Sequence, residues 1–136
     1  MEKSIAELRE EVNRLQSIVV DYERWYYLYR NQRKINDYLQ INGFQKIAIY
    51  GIGAIGRQLV EELLQEGVNI KYLIDLNADK IHMNIDTPIV HPNEKLQDVD
   101  VIIVTVVGDA GKKIKKNYED KFQIPAIQFS DLLAQL

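Results

Sequence analysis

Apolar residues in the first thirty positions recur with the period of a coiled-coil helix. Their spacing alternates between three and four residues, which is a heptad pattern. The a positions are Ile5, Val12, Val19 and Tyr26, and the d positions are Leu8, Leu15, Tyr22 and Tyr29. β-Branched residues at a with Leu at d favour a parallel two-stranded coiled coil. We therefore expect an N-terminal coiled-coil helix that joins two or more copies of the chain through residues 5–29.

The same helix has apolar residues outside the heptad seam, and they leave a second interpretation open. Ile18, Trp25, Tyr27 and Leu28 widen the apolar stripe. A wide stripe is typical of a helix packed on its own domain. Residues 31–39 either continue the helix or form a second one, and Gly43 suits a left-handed helix end. We place a boundary there, with a helical oligomerisation segment at 1–42 and a second domain at 43–136.

From Phe44 onward, short apolar runs alternate with amphipathic helical patterns. The runs predict strands at 46–50, 70–74, 87–90, 101–106 and 126–129. Helices are expected at 55–66 and 108–121, with a helical turn at 91–97 and a last helix capped by Ser130. Such alternation predicts an α/β fold with a parallel sheet and right-handed crossovers. The expected Rossmann-like strand order is 3-2-1-4-5.

The first strand runs directly into a glycine-rich turn, Gly51-Ile52-Gly53-Ala54-Ile55-Gly56. In the dinucleotide fingerprint the first glycine makes the turn, the second admits a pyrophosphate, and the third allows close packing of helix on sheet. The N–H groups and dipole at the start of the helix then favour phosphate. We predict that these six residues hold the phosphates of a nucleotide.

Two other strand ends lie near this turn in the predicted topology. Asp75 and Leu76 follow the second strand, and Asp75 stands 19 residues after Gly56, close to the spacing of an acid that binds ribose hydroxyls. An acid there favours NAD over NADP because it repels a 2′-phosphate. Thr105 and Val106 end the fourth strand, beside the same crevice. Alternatively, the glycines only make a tight turn and Asp75 begins a turn into Asn77.

Composition narrows the function further. Of the 136 residues 46% are hydrophobic, the net charge is −3, and cysteine is absent. The balance of charge predicts no nucleic-acid partner, and the lack of cysteine excludes thiol chemistry and disulfides. The N-terminus resembles no signal peptide and no apolar run is long enough to span a bilayer, so we expect a cytoplasmic protein without membrane insertion. His82 and His91 have no partners at metal-ligand spacing, and we identify no catalytic residue.

Residues 46–133 resemble the small Rossmann domains of bacterial surface-polysaccharide and sugar-modifying proteins. The resemblance is carried by KIAIYGIGAIGRQLVEELL, YLIDLNADKI, TPIVHPNEKL and DVDVIIVTV. These stretches are similar to the N-terminal nucleotide-binding domain of sugar O- and N-acetyltransferases and to the C-terminal domain of sugar C-methyltransferases. They also resemble the CoA-binding-type domain that precedes nucleotide-sugar dehydratases. The resemblance implies a nucleotide, nucleotide-sugar or dinucleotide ligand, or CoA, and a role in polysaccharide assembly. The stretch that resembles these proteins does not include their acetyltransferase, methyltransferase or dehydratase domains.

Three functions follow as hypotheses. The first is a module that binds NAD(H) or a nucleotide-sugar, is not catalytic by itself, and works with a catalytic partner or parent domain in sugar-nucleotide metabolism. The second is an oligomerisation domain with a vestigial site. The third is a fragment of an NAD-dependent oxidoreductase or epimerase that a further domain or partner completes.

Overall fold

A computed structural model describes residues 2–136 of the chain. The helices are α1 (Ile5–Arg30), α2 (Ile35–Ile41), α3 (Ala54–Gln65), α4 (Gly108–Phe122) and α5 (Phe129–Ala134), with a 3₁₀ turn at Ala78–Lys80. The strands are β1 (Lys46–Tyr50), β2 (Asn69–Ile74), β3 (Ile89–Val90), β4 (Val101–Val104) and β5 (Ala126–Gln128). No helix among these residues is long and apolar enough to cross a membrane.

The five strands form one sheet, all parallel, in the order β3-β2-β1-β4-β5. The predicted α/β class and strand order are confirmed, and the architecture fits a Rossmann-like fold. β1 pairs with β4 from Ile47↔Val101 to Tyr50↔Val104, so the two central strands end at the same level. The order reverses between β1 and β4, which is where ligands of such sheets bind.

Each face of the sheet has its own apolar cluster because successive strand side chains point in opposite directions. One face, built on Ile47, Ile49 and Ile103, is covered by the buried sides of α2, α3 and α5. The other face, built on Ala48, Tyr50 and Ile102, is covered by α4 through Tyr118 and by the segment around Leu96. β4 is apolar along its whole length, and β1 is apolar after Lys46, because both faces of these strands are buried.

The N-terminal helix belongs partly to this core. Trp25 and Leu28 are buried in the first cluster, with Ile18 packed against it, and Trp25 meets Phe129 of α5 edge to face at 4.9 Å between ring centroids. These are three of the four apolar residues noted off the heptad seam; the fourth, Tyr27, is exposed. Seven of the eight seam positions are exposed, each by 48% or more: Ile5, Leu8, Val12, Leu15, Val19, Tyr26 and Tyr29. The helix therefore packs on its own domain along one side and leaves the seam uncovered.

Residues 31–34 form a turn and link that separates α1 from a second helix, α2, so residues 31–39 do not continue α1. Gln32 adopts a left-handed φ of 59°, which breaks the helix before α2 begins at Ile35. Ile35 and Leu39 are each 1% exposed, so they lie in the same core as the sheet. Gly43 has the left-handed φ of 71° that was expected of it. Side chains from both sides of residue 42 thus share one core; the division into two domains stays a prediction.

Several local expectations were wrong. β3 is limited to Ile89–Val90 and β4 ends at Val104, whereas strands were expected at 87–90 and 101–106. α5 begins at Phe129 with Gln128 at its N-cap position, and the Ser130 hydroxyl donates instead to the Asp21 carboxylate of α1 at 2.8 Å. Asp21 is 5% exposed, and burial raises the pKa of its carboxyl group. Residues 91–97 form turns instead of a helical turn, with Asn93 at a φ of 72°. A right-handed helix cannot accommodate that backbone conformation.

We predict that truncating Leu39 in α2 destabilises the whole fold. Leu39→Ala should lower the free energy of unfolding by about 2–5 kcal/mol, because removal of the isobutyl group leaves a cavity in the core. Chemical denaturation followed by circular dichroism measures this change. Ile41→Ala on the same helix is the matched control, since Ile41 is 84% exposed and its loss should change stability by less than about 0.5 kcal/mol. Equal effects of the two substitutions would show that α2 is not part of the core.

Candidate functional site

The chain turns sharply at the end of β1, and Gly51 makes that turn possible. Its φ of +95° is a conformation that side-chain-bearing residues rarely adopt. A Cβ there would stand 2.5 Å from the Thr105 hydroxyl oxygen. The Gly51 N–H donates to the Ile74 carbonyl at 2.8 Å, which ties the turn to the end of β2. Glycine is therefore required at position 51 for two reasons: its positive φ and the lack of room for a Cβ atom.

The other two glycines of the motif have opposite surroundings. A Cβ on Gly56 would lie 2.0 Å from the carbonyl oxygen of Gly51, so α3 approaches the turn more closely than any larger residue allows. Gly53 is exposed, and apart from Gly53 itself, its chain neighbours and the adjoining helix backbone, no heavy atom of the described residues lies within 4 Å of where its Cβ would stand. The backbone at Gly53 is thus open to a ligand, as the fingerprint requires of its second glycine.

A second turn with an equally close helix approach follows β4. A Cβ on Gly111 would lie 2.0 Å from the Val106 carbonyl oxygen, five residues earlier, just as Gly56 meets Gly51 five residues earlier. Gly108 is exposed with a φ of +70° and begins α4. The Gln128 side-chain amide closes this turn by donating to the carbonyls of Val106 (3.3 Å) and Gly108 (3.2 Å). We did not predict this repetition from the sequence, where its signal is the match of VVGDAG to GIGAIG.

The starts of α3 and α4 lie at one edge of the sheet, where Rossmann-like folds have their ligand crevice. They follow adjacent strands, β1 and β4, at the point where the strand order reverses. The first N–H groups of each helix, at residues 53–56 and 107–110, have no backbone acceptor among residues 2–136. Free N–H groups and two helix dipoles make this edge of the sheet favourable for an anion.

Asp75 holds the glycine turn from the neighbouring strand. One carboxylate oxygen accepts from the Ile52 N–H at 2.8 Å, and the other accepts from the Asn77 N–H at 2.8 Å. The turn into Asn77 that was one alternative is therefore present, together with a contact to the fingerprint loop. Each oxygen can still accept a further hydrogen bond. Leu76, 73% exposed, follows at the rim of the crevice.

Thr105 and Val106 reach the crevice in different ways. Thr105 is 9% exposed, and its hydroxyl lies 3.0 Å from the Tyr50 carbonyl and 2.7 Å from the Gly51 carbonyl, to which it donates. Its role is to fasten the end of β4 to the end of β1. Val106 is half-buried, and its Cγ2 lies 3.2 Å from the point where a Gly51 Cβ would stand. Both of the other predicted residues belong to α3: Ile55 is on its buried side, and Ala54 is exposed beside Gly53.

Two tyrosines with raised pKa values lie at the end of β1 and on α4. Tyr50 and Tyr118 pack edge to face with 5.9 Å between centroids, and burial raises the pKa of Tyr118 to about 12. Burial also raises the pKa of Tyr50, with a further contribution from the charge of Asp75. Both tyrosines are thus neutral at physiological pH. Among residues 2–136, no three His, Asp or Glu side chains come together as they do around a metal ion.

A groove of about 710 Å³ lies between α1 and α3. We call it the α1–α3 groove; α1 lines it with Tyr22, Glu23, Trp25, Tyr26 and Tyr29, and α3 lines it with Gln58, Glu61, Glu62 and Gln65. One oxygen of Glu62 is buried without a hydrogen-bond partner in the described part of the chain. Burial raises the pKa of Glu62, and the carboxylate of Glu66 one turn away raises it further. The Trp25 side chain and the charge of Lys34 act in the opposite direction.

A scan against protein-family models and searches of curated proteins and of solved structures found no match to this chain. Fold and geometry therefore define its class: an α/β protein with a Rossmann-like sheet and paired glycine turns at the switch point.

We predict that substitution by alanine destabilises the fold at Gly56 but not at Gly53. Gly56→Ala should destabilise the fold by about 3 kcal/mol, because the methyl group collides with a backbone carbonyl that cannot move aside. Gly53→Ala is the matched control and should change stability by less than about 0.5 kcal/mol, because open space surrounds its Cβ. Thermal unfolding of both variants measures the difference. A Gly56→Ala variant as stable as the unmodified chain would contradict the close approach of α3.

The buried carboxylate of Glu62 predicts a pH-dependent stability. Its pKa is higher in the folded chain than the ordinary 4.5, so the ionised form at neutral pH opposes folding and the opposition is relieved as pH falls through the raised pKa. Glu62→Gln should therefore raise Tm at pH about 7, and the gain should shrink towards pH about 4. Scanning calorimetry across this range measures it.

Glu61→Gln on the same helix is the control for this prediction. Its side chain is exposed, so the substitution should change Tm less at every pH. A gain for Glu62→Gln that stayed constant from neutral to acidic pH would mean that the ionised carboxylate does not oppose folding.

Proposed function

We propose that the chain is a nucleotide-binding module, with NAD(H) as the favoured ligand, and that it is not catalytic by itself. The observation that carries the proposal is the pair of helix starts at the switch point, with Gly53 and Gly108 exposed on either side of the crevice. A pyrophosphate needs open backbone and free N–H groups, and both turns supply them.

The remaining residues fit a dinucleotide. Gly53 leaves open space where a side chain would begin, so phosphate can approach the chain there. Asp75 keeps a carboxylate at the end of β2 with acceptor capacity left for ribose hydroxyls. Leu76 presents an exposed apolar side chain beside it, suited to contact with a base. The phosphate contacts would come from Gly51–Gly56 and the α4 turn, and the ribose contact from Asp75.

The resemblance to domains of sugar-modifying proteins adds a biological setting to this proposal. It points to nucleotide-sugars or CoA as further ligands and to polysaccharide assembly as the pathway. The reaction would then reside in a catalytic partner or a parent domain. The alternative of an oxidoreductase or epimerase fragment requires that such a partner bring the substrate-binding residues.

Calorimetric titration with NAD(H) tests the proposed function. We expect saturable binding below about 1 mM, and weaker binding of NADP(H), because the Asp75 carboxylate repels a 2′-phosphate. Gly53→Ala should weaken NAD(H) binding by about tenfold or more, equivalent to about 1.4 kcal/mol, because its methyl group occupies the phosphate position. UDP-sugars and CoA titrated in parallel identify the preferred ligand class.

The control variant for this titration is Gly67→Asn, at the opposite end of α3. Gly67 has a φ of +77° and open space around it, and Asn tolerates that conformation better than most residues do. Gly67→Asn should leave binding unchanged. Failure of NAD(H), UDP-sugars and CoA alike to bind at millimolar concentration would overturn the proposal.

A second function, assembly of copies of the chain, is favoured by the exposed heptad seam. The first half of α1 is exposed on nearly all sides, with Ile5 exposed by 71% and Val12 by 51%. A helical segment of this length is marginal in water without a partner. We propose that a second α1 covers the seam, so that the nucleotide module is held in a dimer or higher oligomer.

Two acidic substitutions on the seam test the self-association. Val12→Asp with Leu15→Asp should convert the oligomer to a monomer, because charges at a and d positions cannot be buried between helices. Asn13→Asp with Ser17→Asp adds the same charge to the same helix away from the seam and should leave the mass unchanged. Light scattering reports the masses. A monomeric unmodified chain, or two variants of equal mass, would contradict this second proposal.

A further inference from the structure

The α1–α3 groove is continuous with the exposed heptad seam. Tyr22 and Tyr29 are d positions, Tyr26 is an a position, and all three line the groove. The groove therefore consists of the C-terminal half of the seam on one side and the outer face of α3 on the other. A helix that followed the seam from Ile5 towards Tyr29 would enter the groove.

We propose that this occupant is α1 of a second copy, so that each copy's α1 lies against both α1 and α3 of the other. This inference rests on the self-association proposed above and extends it from the helix to the body of the domain. In a two-fold symmetric dimer the same surface serves as wall and as occupant. The heptad seam can play both parts, because its exposed apolar residues on one helix can pack against the same residues on the other helix.

Charge supports a second copy as the occupant. In a parallel pair, the g position of one helix faces the e position of the next heptad on its partner. Trp25 is a g position and Arg30 is an e position, so Arg30 of the partner subunit would lie beside Trp25. The neighbouring wall of the groove carries the carboxylates of Glu61 and Glu62. A cation at this place would offset the charge of Glu62, whose buried oxygen has no hydrogen-bond partner among residues 2–136 of its own chain.

Two exposed apolar residues outside the seam are also accounted for. Val20 and Tyr27 occupy b positions, adjacent to e, and are 59% and 65% exposed. In a helix dimer alone, b positions remain in water. With α3 as the second wall, the e and b side of the partner helix faces Gln58 and Glu61, which would cover these side chains.

Cysteine cross-linking tests the proposal, because the chain contains no cysteine of its own. Glu61→Cys in one copy and Tyr27→Cys in a second, larger tagged copy are mixed and treated with a short bismaleimide. The expected result is a cross-linked heterodimer at several times the yield of the control pair, Lys113→Cys with Tyr27→Cys. Lys113 is exposed on α4, which covers the opposite face of the sheet.

A separate variant distinguishes failure of this inference from failure of self-association. Val12→Cys places one thiol at an a position far from α3, and oxidation should join two parallel helices there. If the Val12→Cys dimer forms but the Glu61–Tyr27 pair links no better than the control, the helices pair without α3 and the proposal is overturned. If neither cross-link forms, self-association through the seam is wrong as well.

Discussion

The architecture depends on how closely two helices approach the ends of the central strands. α3 begins over the Gly51 carbonyl and α4 over the Val106 carbonyl, and in both cases a single added carbon atom would fall 2.0 Å from the oxygen. Because both approaches are so close, glycine is needed at 56 and at 111. The same geometry places two sets of free N–H groups at the edge where the strand order reverses. The fold and the candidate site thus have one physical origin.

The α/β class, the strand order and the first glycine turn could be predicted because hydrophobic periodicity and glycine placement are local signals. Contacts between distant residues were not accessible in this way. Ser130 has the chemistry of a helix cap, yet its hydroxyl is used by Asp21, which is 109 residues away. The binding roles of Gly53 and Asp75 stay predictions, whereas the turns that position them are described by the structure.

The N-terminal helix shows why its pattern supported two interpretations. Its off-seam residues Trp25 and Leu28 pack into the domain, whereas seven of its eight heptad residues are exposed. One edge of the wide apolar stripe therefore packs against the chain's own domain, and the other edge is exposed to solvent. The exposed side meets α3 in a groove whose carboxylates have no cation of residues 2–136 within salt-bridge distance. α3 also begins at the glycine turn, so the helix that would bear the partner contact is the one that would bear the nucleotide.

Amide chemical shifts during titration with NAD(H) test nucleotide binding at the paired turns most directly, because they report where the ligand binds. The largest changes should fall on the backbone N–H groups of Gly53, Ala54 and Ile55 and on the α4 turn at Gly108. Changes confined to the α1–α3 groove, or no changes at millimolar ligand, would show that the paired glycine turns do not form a nucleotide site.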